Sequence, residues 1–396
     1  MAWVGTRPCR GLRRGTRASV DWRAVRLLLD VSAVPARPVG AGVYTLEIAR
    51  ELARRSDIDL HLVARRGDAA RWQGLAPNAT VHPEVPERRP ARLLWEQTQA
   101  PRLARRIGAD LWHGPHYTLP LRLEIPSVVT VHDLTFFEHP EWHERTKVRF
   151  FRRMIRSACA RAGAIVAVSP HTSRRLEAVL APTAPVIVAE HGVDHERFVP
   201  AADGDLELLA RAGITAPFVA FAATIEPRKD VPNLIHAFAQ VASRHPKLKL
   251  VIAGRDGWGT EAVRDAAAQS GVTTRILRVG WMDDAVLPAF FRRAEVVAYP
   301  SLEEGFGLPA LEALACGAAL VTTTGSAMED VVGDAAALVP PRDTDALAAA
   351  IARLCDDPEQ RARLRTAGPR RARGFTWSAS VDRHLAAYDL ALGVRA

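Results

Sequence analysis

Residues 300–317 read PSLEEGFGLPALEALACG, and the fold turns on them. A strand ends at Tyr299 and Pro300, and Pro309 opens a helix, where its missing N–H costs nothing. The loop between them carries Glu303, Glu304, Gly305, Phe306, Gly307 and Leu308. A strand–loop–helix of this kind aims free backbone N–H groups and the positive end of a helix dipole into one crevice. Its glycines let a ligand approach the backbone. Phosphate suits the N–H groups. Carboxylates do not bind phosphate, so Glu304 and Glu312, eight residues apart, need another partner, and sugar hydroxyls are the natural one. The stretch reads as a nucleotide-sugar site.

The spacing of Glu304 and Glu312 around GFGLPALE resembles the Glu-x7-Glu motif of retaining glycosyltransferases with the GT-B fold, family 4 in particular. The resemblance implies an α/β chain of two Rossmann-like βαβ domains facing a central cleft. It implies a nucleoside-diphosphate sugar as co-substrate, no further cofactor and no bound metal. It assigns Glu304 to the donor sugar and Glu312 to the ribose, with the helix amides near Gly305, Phe306, Gly307 and Leu308 facing the leaving group. No Asp-x-Asp metal motif stands near the site.

A chain of 396 residues is too long for one compact core and suits two domains. Its 48% hydrophobic and 24% charged residues are those of a globular protein, and no apolar run reaches the roughly 18 residues of a membrane span. Cys9, Cys159, Cys316 and Cys355 lack metal-ligand spacing, and the apolar helical surroundings of Cys159 and Cys316 suggest reduced, buried thiols in a cytoplasmic protein. The net charge is +9, but residues 1–26 hold seven arginines against Asp21 alone. Basicity is thus largely a property of the amino-terminal stretch, and 1–24 is expected to be a disordered extension without the apolar core of a signal peptide. The rest shows no recognition module for nucleic acid.

Along the chain, Val25–Asp30 reads as a first buried strand, followed by a turn with Gly40 and Gly42 and a helix over 43–54. The turn resembles the family's cleft-facing first loop, which makes Gly42 a candidate contact. Strands near 60–64 and 80–82, a helix over 91–107, and strands at 111–113 and 128–131 follow. The last ends in His132-Asp133, and ligands bind outside the carboxyl ends of parallel strands. His113, His116, His132 and Asp133 are thereby placed to line the cleft. VHDL resembles the segment that carries a histidine near the reacting sugar, so His132 is a candidate catalytic residue. WEQ at Trp95–Gln97 resembles the mannosyltransferase-like branch.

Helix 144–161 is basic and amphipathic, with Arg145, Arg149, Arg152 and Arg156 on one face. It reads as a contact for an anionic membrane on the cytoplasmic side, or as a core helix with a solvated arginine face. The first domain is expected over 25–199 and would bind the acceptor, a linker over 200–216, the nucleotide-sugar domain over 217–375, and a helix over 376–396 that crosses back. In the second domain Arg228-Lys229 opens a helix, a cationic pair that opposes the dipole unless an anion joins it. It resembles the family's diphosphate-holding loop, with Ala222-Ala223 where a glycine is common.

The expected reaction moves a sugar, mannose from GDP-mannose by this pattern, to a hydroxyl of a glycan or glycolipid acceptor in cell-envelope synthesis. A UDP-sugar donor is the rival. A catalytically silent scaffold is disfavoured by intact Arg228, Lys229, Glu304 and Glu312. A nicotinamide-dependent dehydrogenase is disfavoured because the glycine turn is incomplete and the paired glutamates would be unexplained.

Overall fold

The computed structural model describes residues 25–393. The expected extension over 1–24 and Cys9 lie outside the described residues.

Seven parallel strands form the first sheet: β1 Arg26–Asp30, β2 Asp59–Arg65, β3 Thr80–Val85, β4 Leu111–Gly114, β5 Ser127–Val131, β6 Ala164–Ala167 and β7 Val186–Val188, in the order β3-β2-β1-β4-β5-β6-β7. Six more form the second: β8 Phe218–Ala222, β9 Lys249–Ala253, β10 Ile276–Gly280, β11 Val296–Tyr299, β12 Leu320–Thr323 and β13 Ala337–Val339, in the order β10-β9-β8-β11-β12-β13. Both are doubly wound, because parallel neighbours need crossover connections and helices cover both faces. Alternation along β1 shows the two layers. Leu27 and Leu29 join one core, and Leu28 between them joins the other.

Each sheet reverses its winding once, between β1 and β4 and between β8 and β11. Such a reversal opens a crevice at the carboxyl ends of the two strands. In the second sheet it lies between the loop carrying Arg228-Lys229 and the loop carrying Glu304.

Several expectations shift. The helix expected over 91–107 is two, Arg89–Thr98 and Ala100–Ile107. Pro101, in the first turn of the second, has no N–H to continue the ladder. The stretch 200–216 contains a helix, Asp205–Arg211, joined to the second domain by Asp205 and Arg292 at 2.6 Å. Strand β13 was not foreseen; it is only three residues long. The basic helix, Arg145–Arg161, turns Val148, Phe151, Met154, Ile155, Ala158 and Cys159 into the core, so its apolar face is spent inside the protein.

The last helix, Trp377–Ala391, crosses back onto the first domain. A buried chain of hydrogen bonds fixes it there, and every proton can be placed. His384 Nδ1 donates to the Ser380 carbonyl at 2.7 Å, so Nε2 accepts from Tyr44 O–H at 2.6 Å. Tyr44 then accepts from Thr130 at 2.8 Å, and Thr130 from His113 Nε2 at 2.8 Å. That leaves His113 Nδ1 to accept from Tyr388 O–H at 2.8 Å. Burial pushes both imidazoles down, His384 to about 4, so both are neutral, as the chain requires.

Candidate active site between the two sheets

The loop after β8 ends in a short turn, Pro227–Lys229, and Asp230 in a left-handed conformation (φ 49°) redirects the chain into helix Val231–Ala242. The loop after β11 meets it: Leu302 N–H donates to the Arg228 carbonyl at 2.8 Å. The two loops thus bring Arg228, Lys229 and Glu304 together. Arg228 Nη1 donates to Glu304 Oε2 at 2.8 Å and Lys229 Nζ to Glu304 Oε1. Lys229 also reaches Tyr299 O–H at 2.6 Å, and Arg228 Nε donates to Glu226 at 3.1 Å. Lys229 and Glu304 are about 5% and 6% exposed, so these charges interact in a poorly screened setting.

Burial alone would raise the Glu304 carboxyl, but Arg228 and Lys229 outweigh it and hold it down at about 2. Lys229 is brought down to about 8 by burial and by Arg228, against the pull of Glu304. For Arg228, burial works against the charge and the surrounding carboxylates, Glu304 first, more than compensate. All three are therefore charged at neutral pH. An arginine has five N–H donors and a lysine three. Among the described residues the bonds of Arg228 run through Nε and Nη1, which leaves its Nη2 donors for an incoming anion.

Helix Leu308–Ala315 begins directly after this loop, with Gly307 at φ 96° as its cap. No side chain caps it; Pro309 has no N–H, and the Ala310 and Leu311 N–H groups donate to the Gly307 carbonyl at 3.0 and 3.2 Å. Glu312 lies on the same helix, apart from the cation cluster and near Arg197 and Asp284. Burial pushes its carboxyl up to about 7, Arg197 opposing and Asp284 adding.

The first domain closes on this loop. His132 sits at the end of β5 with Nε2 donating to the Pro115 carbonyl at 2.8 Å. A carbonyl only accepts, so the lone pair is on Nδ1 and can receive a hydroxyl. Thr172 O–H bridges the domains between the carbonyls of Gly305 (3.1 Å) and His132 (3.2 Å), and His171 meets Glu303 at 2.8 Å. Phe306 packs edge-on against His191 at 4.6 Å. The candidates His132, Arg228, Lys229, Glu304, Gly305, Phe306, Gly307 and Leu308 thus gather at one seam. Gly42 lies in the first turn of helix Ala41–Arg54, where a Cβ would press on Pro38 and Pro35 of its own loop at 3.2 and 3.3 Å.

Sequence reasoning missed Tyr299, His171, Thr172 and Glu226. Ser169-Pro170 is a helix-start pattern that could have flagged the second and third; Ser169 Oγ caps Thr172 N–H at 3.0 Å. It also missed three arginines that hold the first loop by its carbonyls: Arg92 on Ser32 (3.0 Å), Arg65 on Val34 (2.6 Å) and Arg71 on Pro35 (2.8 Å).

Two doubly wound parallel sheets closing on a cationic loop and a carboxylate-bearing strand–loop–helix define a glycosyltransferase of the GT-B class. Residues 211–371 match the family described as glycosyl transferases group 1, and residues 38–197 match glycosyltransferase family 4. The chain belongs to the GT-B glycosyltransferases. It is 29% identical to O-antigen chain mannosyltransferase B of Escherichia coli, over 71% of this chain and 74% of that protein. It is 37% identical to the D-inositol 3-phosphate glycosyltransferase of Salinispora tropica over 52% of this chain, a match that spans about half of that protein (46%). Its fold superposes on sucrose-phosphate synthase from Thermosynechococcus elongatus with a TM-score of 0.77 at 21% identity, covering 92% of this chain and 98% of the other.

Proposed function

We propose that this enzyme transfers mannose from GDP-mannose, with retention of configuration, to a hydroxyl of a lipid-linked or polysaccharide acceptor in cell-envelope glycan synthesis. The observation that carries the reading is the convergence of Arg228 and Lys229 on Glu304 at the winding reversal of the second sheet. Departure of the diphosphate puts negative charge on its oxygens. Arg228 and Lys229 are already in place to meet it, which is how preorganised groups lower a barrier. A metal ion is not needed for that task in this reading. Glu304 also reaches the donor-sugar hydroxyls, Glu312 the ribose hydroxyls, and His132 Nδ1 accepts from a sugar hydroxyl. The likeness to the Escherichia coli mannosyltransferase favours mannose.

The acceptor reading includes a peripheral contact with an anionic membrane on its cytoplasmic face. Arg149, Arg152, Arg153 and Arg156 line a groove of about 610 Å³ on the basic helix. The contact is electrostatic, since the apolar face of the helix is buried. Among the described residues no helix is long and apolar enough to cross a membrane.

The test is thermal stabilisation by GDP, UDP, ADP and their common sugar conjugates, followed by turnover of whichever conjugate binds. A ligand at a hundred times its Kd adds about 2.7 kcal/mol. Selective stabilisation by GDP with release of mannose from GDP-mannose supports the reading. A response to UDP alone replaces the donor, and binding without turnover points to a silent scaffold.

A further inference from the structure

The acceptor side of the cleft holds a carboxylate fixed from several directions. Asp133, next to His132, accepts at Oδ1 from Thr135 N–H at 3.1 Å and from Thr135 O–H at 2.7 Å. Its own N–H donates to the Tyr117 hydroxyl at 3.1 Å. Tyr117 reaches that place from φ 65°, a left-handed conformation uncommon for an aromatic residue. Strain of this kind persists only where the surroundings over-determine it, and it clusters at active sites.

Placement and pairing single out Asp133. A Cβ on Gly305 would stand 3.3 Å from the Asp133 Cβ, so the carboxylate borders the donor loop across the seam. Asp133 is also close enough to Arg228 to strengthen that residue's charge. The other carboxylates here have cationic or imidazole partners: Glu226 on Arg228, Glu304 on Arg228 and Lys229, Glu303 on His171. Among the described residues Asp133 bonds only to neutral hydroxyl and amide groups. A carboxylate offers about four acceptor positions, so capacity remains for an incoming hydroxyl.

We infer that Asp133 is the general base for the attacking hydroxyl, an assignment that rests on the glycosyl-transfer reading above. The hydroxyl donates to the carboxylate. As its oxygen bonds to the anomeric carbon, its proton passes to Asp133. The bond from that carbon to the diphosphate oxygen breaks, and its electron pair leaves with the diphosphate, where Arg228 and Lys229 meet the charge. Asp133 then returns its proton to water. Because the base neighbours the residue that holds the leaving group, the hydroxyl approaches from the leaving group's side, the face that preserves configuration.

Water serves as the acceptor in the test, so no natural acceptor is needed. Release of free sugar is measured from GDP-mannose and from UDP-glucose for the wild type, Asp133→Asn and Thr135→Val, alongside GDP and UDP affinity by calorimetry. Removing a general base costs about 10²–10⁴-fold, so Asp133→Asn is expected to lose at least about a hundredfold in release with nucleotide affinity within threefold. Thr135→Val, which frees Oδ1 from one of its bonds, is expected to lose about tenfold with affinity unchanged, and it carries the test should Asp133→Asn fail to fold. Release within threefold of wild type in Asp133→Asn, or in Thr135→Val where that variant carries the test, overturns the assignment and leaves the departing phosphate as the base. A wild type that binds nucleotide but releases no sugar from either donor overturns the transfer reading, and this assignment with it.

Discussion

The carbonyl oxygen of His132 occupies the place where a side chain on Gly305 would begin. A Cβ built on Gly305 would lie 1.7 Å from that oxygen and 2.8 Å from its carbon. The obstacle is backbone, so it cannot rotate away. Gly305→Ala is therefore expected to hold the two domains apart. Misplacement by about 1 Å can cost about a hundredfold in rate. Turnover should fall by that order while nucleotide affinity stays within a few-fold. Comparable rates in mutant and wild type would show that the seam does not close during the reaction.

Lys229→Ala and Glu304→Ala each break a buried ion pair. Turnover should drop by about a hundredfold or more, as for loss of one preorganised group. Stability should fall too, because the remaining partner stays buried, at a cost of about 3–5 kcal/mol for such pairs. Steady-state rates and urea denaturation check the two effects separately. Near-wild-type rates in both variants would remove these residues from the site.

Glu312 makes stability depend on pH in a stated direction. Its folded pKa, about 7, lies above the ordinary 4.5. The folded state therefore holds the proton more tightly, and stability is lost as pH rises from about 4.5 through 7. Glu312→Gln has no proton to lose. It should match the wild type near pH 4.5 and exceed it at pH 8, by on the order of 2 kcal/mol. Parallel pH–stability curves for the two proteins would refute this.

Tyr44→Phe keeps the ring and removes one oxygen. His384 Nε2 then loses its donor and Thr130 its acceptor, both inside the protein. Leaving a buried polar group unpaired costs about 1–3 kcal/mol. Chemical denaturation should show a loss in that range, and a neutral result would mean that water replaces the hydroxyl.

Replacing Arg149, Arg153 and Arg156 by glutamate should abolish sedimentation with anionic vesicles and leave water-acceptor turnover in solution unchanged. Each arginine near such a surface contributes about 1 kcal/mol, and the attraction falls with salt. Equal vesicle binding by the variant would relocate any membrane contact.

The second domain was the more legible in sequence. Strand runs such as Val296–Tyr299 are apolar throughout, and Glu304, Arg228 and Lys229 stand in short, dense motifs next to them. Sequence reasoning assigned all three to the donor side, Arg228 and Lys229 to the diphosphate and Glu304 to sugar hydroxyls, but not the direct pairing of Glu304 with both cations; Tyr299 was not flagged, because nothing in a strand-end tyrosine signals that its hydroxyl meets a lysine 70 positions earlier. WEQ had no mechanism in sequence. In the structure Gln97 clasps a loop, donating to Leu119 at 3.2 Å and accepting from Leu121 at 2.9 Å. Asp133 was placed in the cleft but given no task, since its distinction lies in what its neighbours are bonded to. The amphipathic pattern of the basic helix was read correctly, but periodicity does not say what covers an apolar face.

The crossing helix makes the first domain discontinuous in sequence. Tyr44 and His113 find partners in His384 and Tyr388, more than 250 residues away. A fragment ending at residue 199 would keep the bonds of Thr130 to Tyr44 and His113 but would leave the Tyr44 hydroxyl without its His384 acceptor and His113 Nδ1 without its Tyr388 donor. Division at the linker therefore takes from the first domain two buried hydrogen bonds made by the last helix. To regain them, a first domain made by itself would need the peptide 376–393 returned to it, by fusion or by addition in trans.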